Sequence, residues 1–220
     1  MGAIAVSRNF AEFGIRSINV TLRGRNGSPL VVHSFAEKAK QEIRDKQQKK
    51  AKKAKEERKP HEEFLAARCL FTNPGHKEPL ECVPITAIKK SLISAATAFD
   101  DLTKVSLRQA IFVDCLALPG APVVPIELYD GTPAKARWDP ILCEDAVTIG
   151  INTRGLAYRP KYPEWQLRVR VEFNPRLLSE EQLFALIDQA GWGVGICEGR
   201  PERSSALGWG RFERHAPPPV

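Results

Sequence analysis

Leu167-Arg-Val-Arg-Val-Glu-Phe173-Asn174-Pro175 runs directly into Arg176-Leu-Leu-Ser179-Glu-Glu-Gln182-Leu-Phe-Ala-Leu-Ile-Asp-Gln-Ala190-Gly191. In the first part Leu167, Val169, Val171 and Phe173 alternate with Arg168, Arg170 and Glu172. A period of two predicts a strand with one buried and one polar face, stopped by Asn174-Pro175. In the second part Ser179 precedes Gln182 by one turn, the spacing of a capping box, with Leu178 and Leu183 as the hydrophobic staple. Leu183, Leu186, Ile187 and Ala190 recur at helical spacing. They predict a helix over 179–190 with a buried stripe, and Gly191 as its C-terminal stop.

Upstream of this pair, Ile18, Val20 and Leu22 alternate with Asn19, Thr21 and Arg23, which predicts a strand over 15–24. Asn26-Gly27 then reads as a two-residue hairpin turn, with Leu30 to His33 as the returning strand. Pro84 opens a helix over 84–99, whose Ile85, Ile88, Leu92, Ala95 and Phe99 share a face. Ile111 to Leu118 is a largely apolar strand. A short strand is expected at Phe64 to Phe71, and a last one over about 207–213. Without the intervening segments the order is β-α-β-β-α-β. That predicts an α+β, ferredoxin-like (RRM-like) single domain over 1–220 with one sheet face open for binding. The segments set aside are a basic helical insertion, 36–83, and an irregular insertion, 119–166, with short strands near Val147 to Ile151. Residues 214–220 read as a flexible tail.

A net charge of +7 over 220 residues favours a polyanionic partner, nucleic acid before an anionic membrane surface. Much of it lies in 36–59, where Lys49, Lys50, Lys52 and Lys53 belong to a run with almost nothing to bury beyond Ile43. This run reads either as a basic arm on phosphates or as a solvated helix. The five cysteines (Cys69, Cys82, Cys115, Cys143 and Cys197) contain no C-x-x-C pair. They point to reduced thiols, not to a zinc site or a disulfide framework. No apolar run is long enough to span a membrane and no secretion signal opens the chain, so a cytoplasmic location in a prokaryotic host is expected.

Gly191 to Glu213 holds six of the fifteen glycines, two of the four tryptophans and three arginines. Backbone amides exposed by glycine can hold phosphates, Arg200, Arg203 and Arg211 would add charge, and Trp192 or Trp209 could stack on a base. The alternative is a structural hairpin with both tryptophans in the core. No Gly-Lys-Ser/Thr follows, and the glycines succeed a helix. The segment is therefore neither a P-loop nor a dinucleotide fingerprint. No metal or cofactor is expected.

Gly193-Val-Gly195, Arg200 to Leu207 and Gly208-Trp-Gly210 resemble the glycine-rich loop of the RAMP superfamily, ferredoxin-like RNA-binding proteins of CRISPR systems. Val83-Pro84-Ile85-Thr86-Ala87-Ile88-Lys89-Lys90-Ser91-Leu92 resembles the helix start of CRISPR backbone subunits, with Ile85-Thr86 in place of glycine and serine. The C-terminal half is also similar to uncharacterised bacteriophage proteins. The resemblance implies single-stranded RNA binding, with head-to-tail assembly along the RNA as a homo-oligomer or ribonucleoprotein. The contact residues it and the basic pattern suggest are Lys89, Lys90, Arg168, Arg170, Gly193, Gly195, Arg200, Arg203, Gly208, Gly210 and Arg211, with Lys49, Lys50, Lys52 and Lys53 on the arm. Two other readings stand beside it. One is a phage structural or assembly protein. The other is a metal-independent RNA-processing endonuclease, for which His33 is the candidate base among His33, His61, His76 and His215.

Overall fold

The structure, a computed structural model, describes residues 14–34, 43–45, 47–48, 58–73, 78–134, 140–148, 154–203 and 207–215. The strands and helices, in chain order, are β1 (Arg16–Gly24), β2 (Leu30–Val31), α1 (Pro60–Ala67), β3 (Leu70–Phe71), β4 (Leu80–Pro84), α2 (Ile85–Ala95), α3 (Lys104–Ala110), β5 (Ile111–Cys115), β6 (Val123–Pro125), β7 (Ile141–Thr148), β8 (Arg154–Tyr162), β9 (Gln166–Phe173), α4 (Glu180–Gln189) and β10 (Phe212–His215). This is an α+β chain with antiparallel sheets: β10-β1-β9-β5, β2-β8-β7 and β3-β4-β6.

The alternating stretch 167–173 sits inside the four-stranded sheet because its apolar face has somewhere to go. Leu167, Val169, Val171 and Phe173 are fully buried, and α2 and α4 close over that face through Ile88, Leu92, Leu183, Leu186 and Ile187. Each such side chain, taken from water, stabilises the fold by about 1.5–3 kcal/mol. The capping box forms: Gln182 donates its backbone N–H to Ser179 Oγ at 3.2 Å, and Ser179 donates its own to Gln182 Oε1 at 2.9 Å. A second box, Thr103 with Ser106, starts α3.

Several expectations are corrected. Asn26 (φ 50°) and Gly27 (φ 69°) do take the left-handed turn. Leu30 and Val31, however, pair with Tyr162 and Lys161 of β8, because β9 and β10 already occupy both edges of β1. Half of Phe64 to Phe71 is helix, the end of α1. Pro60 pre-sets the first turn of α1, Glu62 and Glu63 complement its dipole, and only Leu70–Phe71 is strand. Residues 119–166 are more regular than expected: β7 and β8 pair continuously from Ile141↔Lys161 to Thr148↔Arg154. Ile141, Leu142 and Leu156 remain 49%, 41% and 41% exposed. With no face uniformly buried, the hairpin left no period of two to read. The last strand is 212–215, so Arg214 and His215 belong to the sheet and not to a tail. Lys49, Lys50, Lys52, Lys53 and His76 lie outside the described residues.

Gly191 does not end α4. The chain continues through a π turn, Ala190–Val194, and Gly195 (φ 72°) ends it, donating its N–H to Ala190 O at 2.8 Å. Gly191 serves a close approach instead: a Cβ there would stand 2.0 Å from the Phe212 carbonyl oxygen of β10. At Gly193 a Cβ would meet only Gln189 Nε2, the end of a flexible side chain, at 3.0 Å. Gly191→Ala is expected to lower stability in urea unfolding by about 3 kcal/mol. Gly193→Ala should be neutral or slightly stabilising, since alanine is the better helix former.

Candidate nucleic-acid interface

The polar face of α2 is set by its buried one. With Ile88, Leu92 and Ala95 turned inward, Lys89, Lys90 and Ser94 line a cleft on the other side. Lys104 and Arg108, one turn apart on α3, border it, and the glycine segment closes it with Gly195, Arg200, Glu202 and Arg203. The cavity is about 550 Å³. Among the described residues, six cations therefore converge on a space that holds one carboxylate, Glu202.

That carboxylate is already engaged. Arg200 donates from Nε to Glu202 Oε2 at 3.2 Å, and the Ser94 hydroxyl donates to Glu202 Oε1. Burial would push the Glu202 carboxyl up, but the Ser94 and Arg200 bonds outweigh it and hold the group below the usual range. Arg200 also donates to the Cys197 carbonyl at 3.0 Å, which fixes the arm that presents it. Lys89 Nζ lies 4.3 Å from the centroid of the Phe112 ring. The remaining positive charge meets no further carboxylate among the described residues that line the cleft, a field that attracts phosphate.

Many amides of the glycine segment are already engaged. The amides of Gly195, Ile196, Glu198, Glu202, Arg203, Trp209, Gly210 and Arg211 all donate inside the protein. Ile196 N–H bonds Gly210 O at 3.0 Å, Gly210 N–H bonds Pro29 O at 2.8 Å, and Ser28 Oγ donates to Gly208 O at 3.0 Å. A Cβ on Gly210 would stand 2.0 Å from Ile196 O. These glycines let the segment fold back on itself and on residues 28–31, and its offer to a ligand is side-chain charge.

The polar face of the four-stranded sheet is not the open platform that Arg168 and Arg170 suggested. Arg168 donates twice to Glu127, at 2.8 and 2.7 Å, and Glu127 is 4% exposed. Arg170 donates to Asp114 at 2.9 Å and lies 3.7 Å from Glu172. Burial would raise the Asp114 carboxyl, but the amides of Gly120 and Cys115 and the Arg170 guanidinium hold it below its usual range. Arg23 joins the same layer through Gln166 at 2.9 Å. Thr21, between them, is buried. Three arginines on this face meet Glu127, Asp114 and Glu172, and Glu213, the register partner of Arg23, adds a fourth carboxylate, so the face carries no cationic excess.

Arg211 goes elsewhere, to Trp192. Its Cζ lies 4.3 Å from the indole centroid, that of Arg25 lies 5.1 Å away, and Trp192 is 53% exposed. Trp209 instead packs against Gly199 and under Lys161. Lys104, Arg108 and Arg25 were not among the residues picked from sequence. The signal for the first two was there: cations four apart on a short helix share a face. Arg25 sits in a turn, where sequence carries no facing information.

His33 Nδ1 lies 3.9 Å from Glu198 Oε1, beside Arg159. Burial first, then Arg159, lowers its pKa from 6.5, and Glu198 opposes them. A neutral imidazole is thus favoured by the fold. Its contribution to stability is complete above about pH 6.5 and is lost as pH falls through the lowered folded value. His33→Asn is expected to flatten the dependence of melting temperature on pH below 6.5, measured by thermal scans across that range.

All five cysteines are free, with Cys69, Cys82 and Cys115 buried. Among the described residues no cluster could hold a metal, and no helix is long and apolar enough to cross a membrane.

No family model matches the sequence, and no curated protein matches it. Among solved structures the chain is similar to Cmr6 from Pyrococcus furiosus, at 13% identity over 92% of this chain and 98% of that one, with a TM-score of 0.39.

Proposed function

We propose that this protein is a RAMP-type binder of single-stranded RNA, with the phosphate chain lying in the cleft between α2, α3 and the glycine segment. The observation that carries the reading is the charge count in that cleft, six cations against one carboxylate that is already paired. The core is read as ferredoxin-like. The order β10-β1-β9-β5 sets the last core strand beside the first and the first beside the third, and α2 and α4 cover one face. The resemblance of the α2 start and of the glycine segment to the RAMP pattern favours RNA as the polyanion and a head-to-tail, CRISPR-type ribonucleoprotein as its setting. Arg168 and Arg170 are left out of the contact set because Glu127, nearly buried, and Asp114 hold them, whereas Glu202, the partner of Arg200, is more exposed. Lys89, Lys90, Lys104, Arg108, Arg200 and Arg203 form it.

The test is a titration of a fluorescent oligoribonucleotide across salt. Log affinity should fall linearly with log salt, by roughly 0.7 per phosphate neutralised. A protein that purifies free of nucleic acid, shows no shift with RNA at low salt and self-associates alone overturns the reading in favour of an assembly protein.

A further inference from the structure

Trp192 is a large aromatic ring held in place and left exposed. The π turn that carries it is pinned on both sides: Gly191 lies against the Phe212 carbonyl, and Gly195 N–H bonds Ala190 O. Its ring is 53% exposed and has two guanidiniums over it, Arg211 at 4.3 Å and Arg25 at 5.1 Å. Those two arginines are set side by side, since Arg25 N–H bonds Arg211 O at 3.0 Å. Neither has a carboxylate partner among the described residues, and the Nε of each is buried without a hydrogen-bond acceptor. This differs from the sheet face, where each arginine meets a carboxylate directly or through a glutamine. Beyond the two cation–π contacts, exposing the indole gives the isolated fold nothing that packing Trp192 inward would not.

We infer that Trp192, Arg25 and Arg211 form a base-stacking subsite for single-stranded nucleic acid. One unstacked base lies on the exposed part of the Trp192 ring, and the two guanidiniums take the phosphates flanking it. Aromatic faces and arginine planes serve single-strand recognition in this way, without needing a particular base. The subsite and the cationic cleft share the glycine segment. Trp192 and Gly195, which lines the cleft, are three residues apart, at most about 11 Å of chain. A strand whose phosphates leave the cleft can place its next base on the indole. This inference rests on the proposed function, and it adds a contact that reads bases where the cleft reads charge.

The experiment compares a short oligouridylate with a ribose-phosphate strand of equal length that lacks bases. For Trp192→Ala, affinity for the oligouridylate should fall about tenfold while affinity for the baseless strand is unchanged. Trp192→Phe should keep most of the wild-type preference. Because the ring is exposed, neither variant should change the unfolding midpoint, and this is measured alongside. Equal loss on both strands, or no loss on either, overturns the stacking subsite while leaving the cleft reading in place. Failure of the wild type to bind either strand overturns both.

Discussion

Replacing Arg68 by alanine is expected to lower the stability of the protein by about 3–5 kcal/mol and its melting temperature by about 10 °C. The reason is the position of Glu81, 2% exposed in β4. It accepts from the Arg68 guanidinium, just beyond α1, and from the Tyr162 hydroxyl, at the end of β8, at 2.7 Å. One buried carboxylate thus ties together three elements from the two insertions. Burial and Glu81 both push the Tyr162 hydroxyl up, so it stays protonated and donating. Without Arg68 the carboxylate keeps a single neutral donor in a place water does not reach, which is the costly way to break a buried pair. Tyr162→Phe removes only one hydrogen bond to a charged acceptor, about 1.5–3 kcal/mol. Arg58→Ala, which breaks the exposed Arg58–Glu63 pair, should cost under about 1 kcal/mol. Replacing Arg68 and Glu81 together by apolar residues should be milder than Arg68→Ala alone. A melting temperature for Arg68→Ala within a degree or two of wild type would mean that Glu81 is solvated and the three-way tie is wrong.

The same contrast between what is buried and what is balanced explains how far the sequence could be read. Strand 166–173 and helix 180–189 were legible because each buries one face completely, so burial wrote a period into the residues. The helix over 85–95 was legible for the same reason, down to the face on which Lys89 and Lys90 stand. β7 and β8 bury no face uniformly and wrote no period. The hairpin expected at Asn26-Gly27 failed differently. The local turn chemistry was read correctly, but the partner of Leu30–Val31 is decided by which edges of β1 are free, a property of the whole sheet. For the site, Lys89, Lys90, Gly195, Arg200 and Arg203 converge as a set that sequence had already singled out. The role of the glycines is not legible, because a glycine needed for its φ or for a close approach looks the same in sequence as one that frees its amide for a ligand. Arg168 and Arg170 were indistinguishable from Arg200 and Arg203 in sequence. Only the fold shows that Glu127, 41 residues away, faces Arg168, and that Asp114, 56 residues away, faces Arg170.

The variant Lys89→Ala/Lys90→Ala/Arg200→Ala/Arg203→Ala is expected to bind single-stranded RNA about 100-fold more weakly at physiological salt, at roughly 0.7 kcal/mol for each exposed ionic contact. The slope of log affinity against log salt should become shallower by about 3, four contacts at roughly 0.7 each. The slope is the stronger measurement, because a partly misfolded variant loses affinity without a proportional change in the number of counterions released. The informative control is Arg168→Ala/Arg170→Ala. Its unfolding midpoint should drop, since Glu127 is left buried without its guanidinium, yet the salt slope of its folded fraction should match wild type. The two variants therefore move different observables: the cleft variant changes the slope and leaves stability nearly intact, and the sheet variant does the reverse. If the sheet variant flattened the slope and the cleft variant did not, the RNA would lie on the sheet. The carboxylates that balance Arg168 and Arg170 would then have to release them on binding. That requires breaking the Arg168–Glu127 pair around a nearly buried carboxylate, which disfavours a sheet-bound strand. The cleft needs no such rearrangement, because among the described residues most of its cations have no carboxylate to surrender.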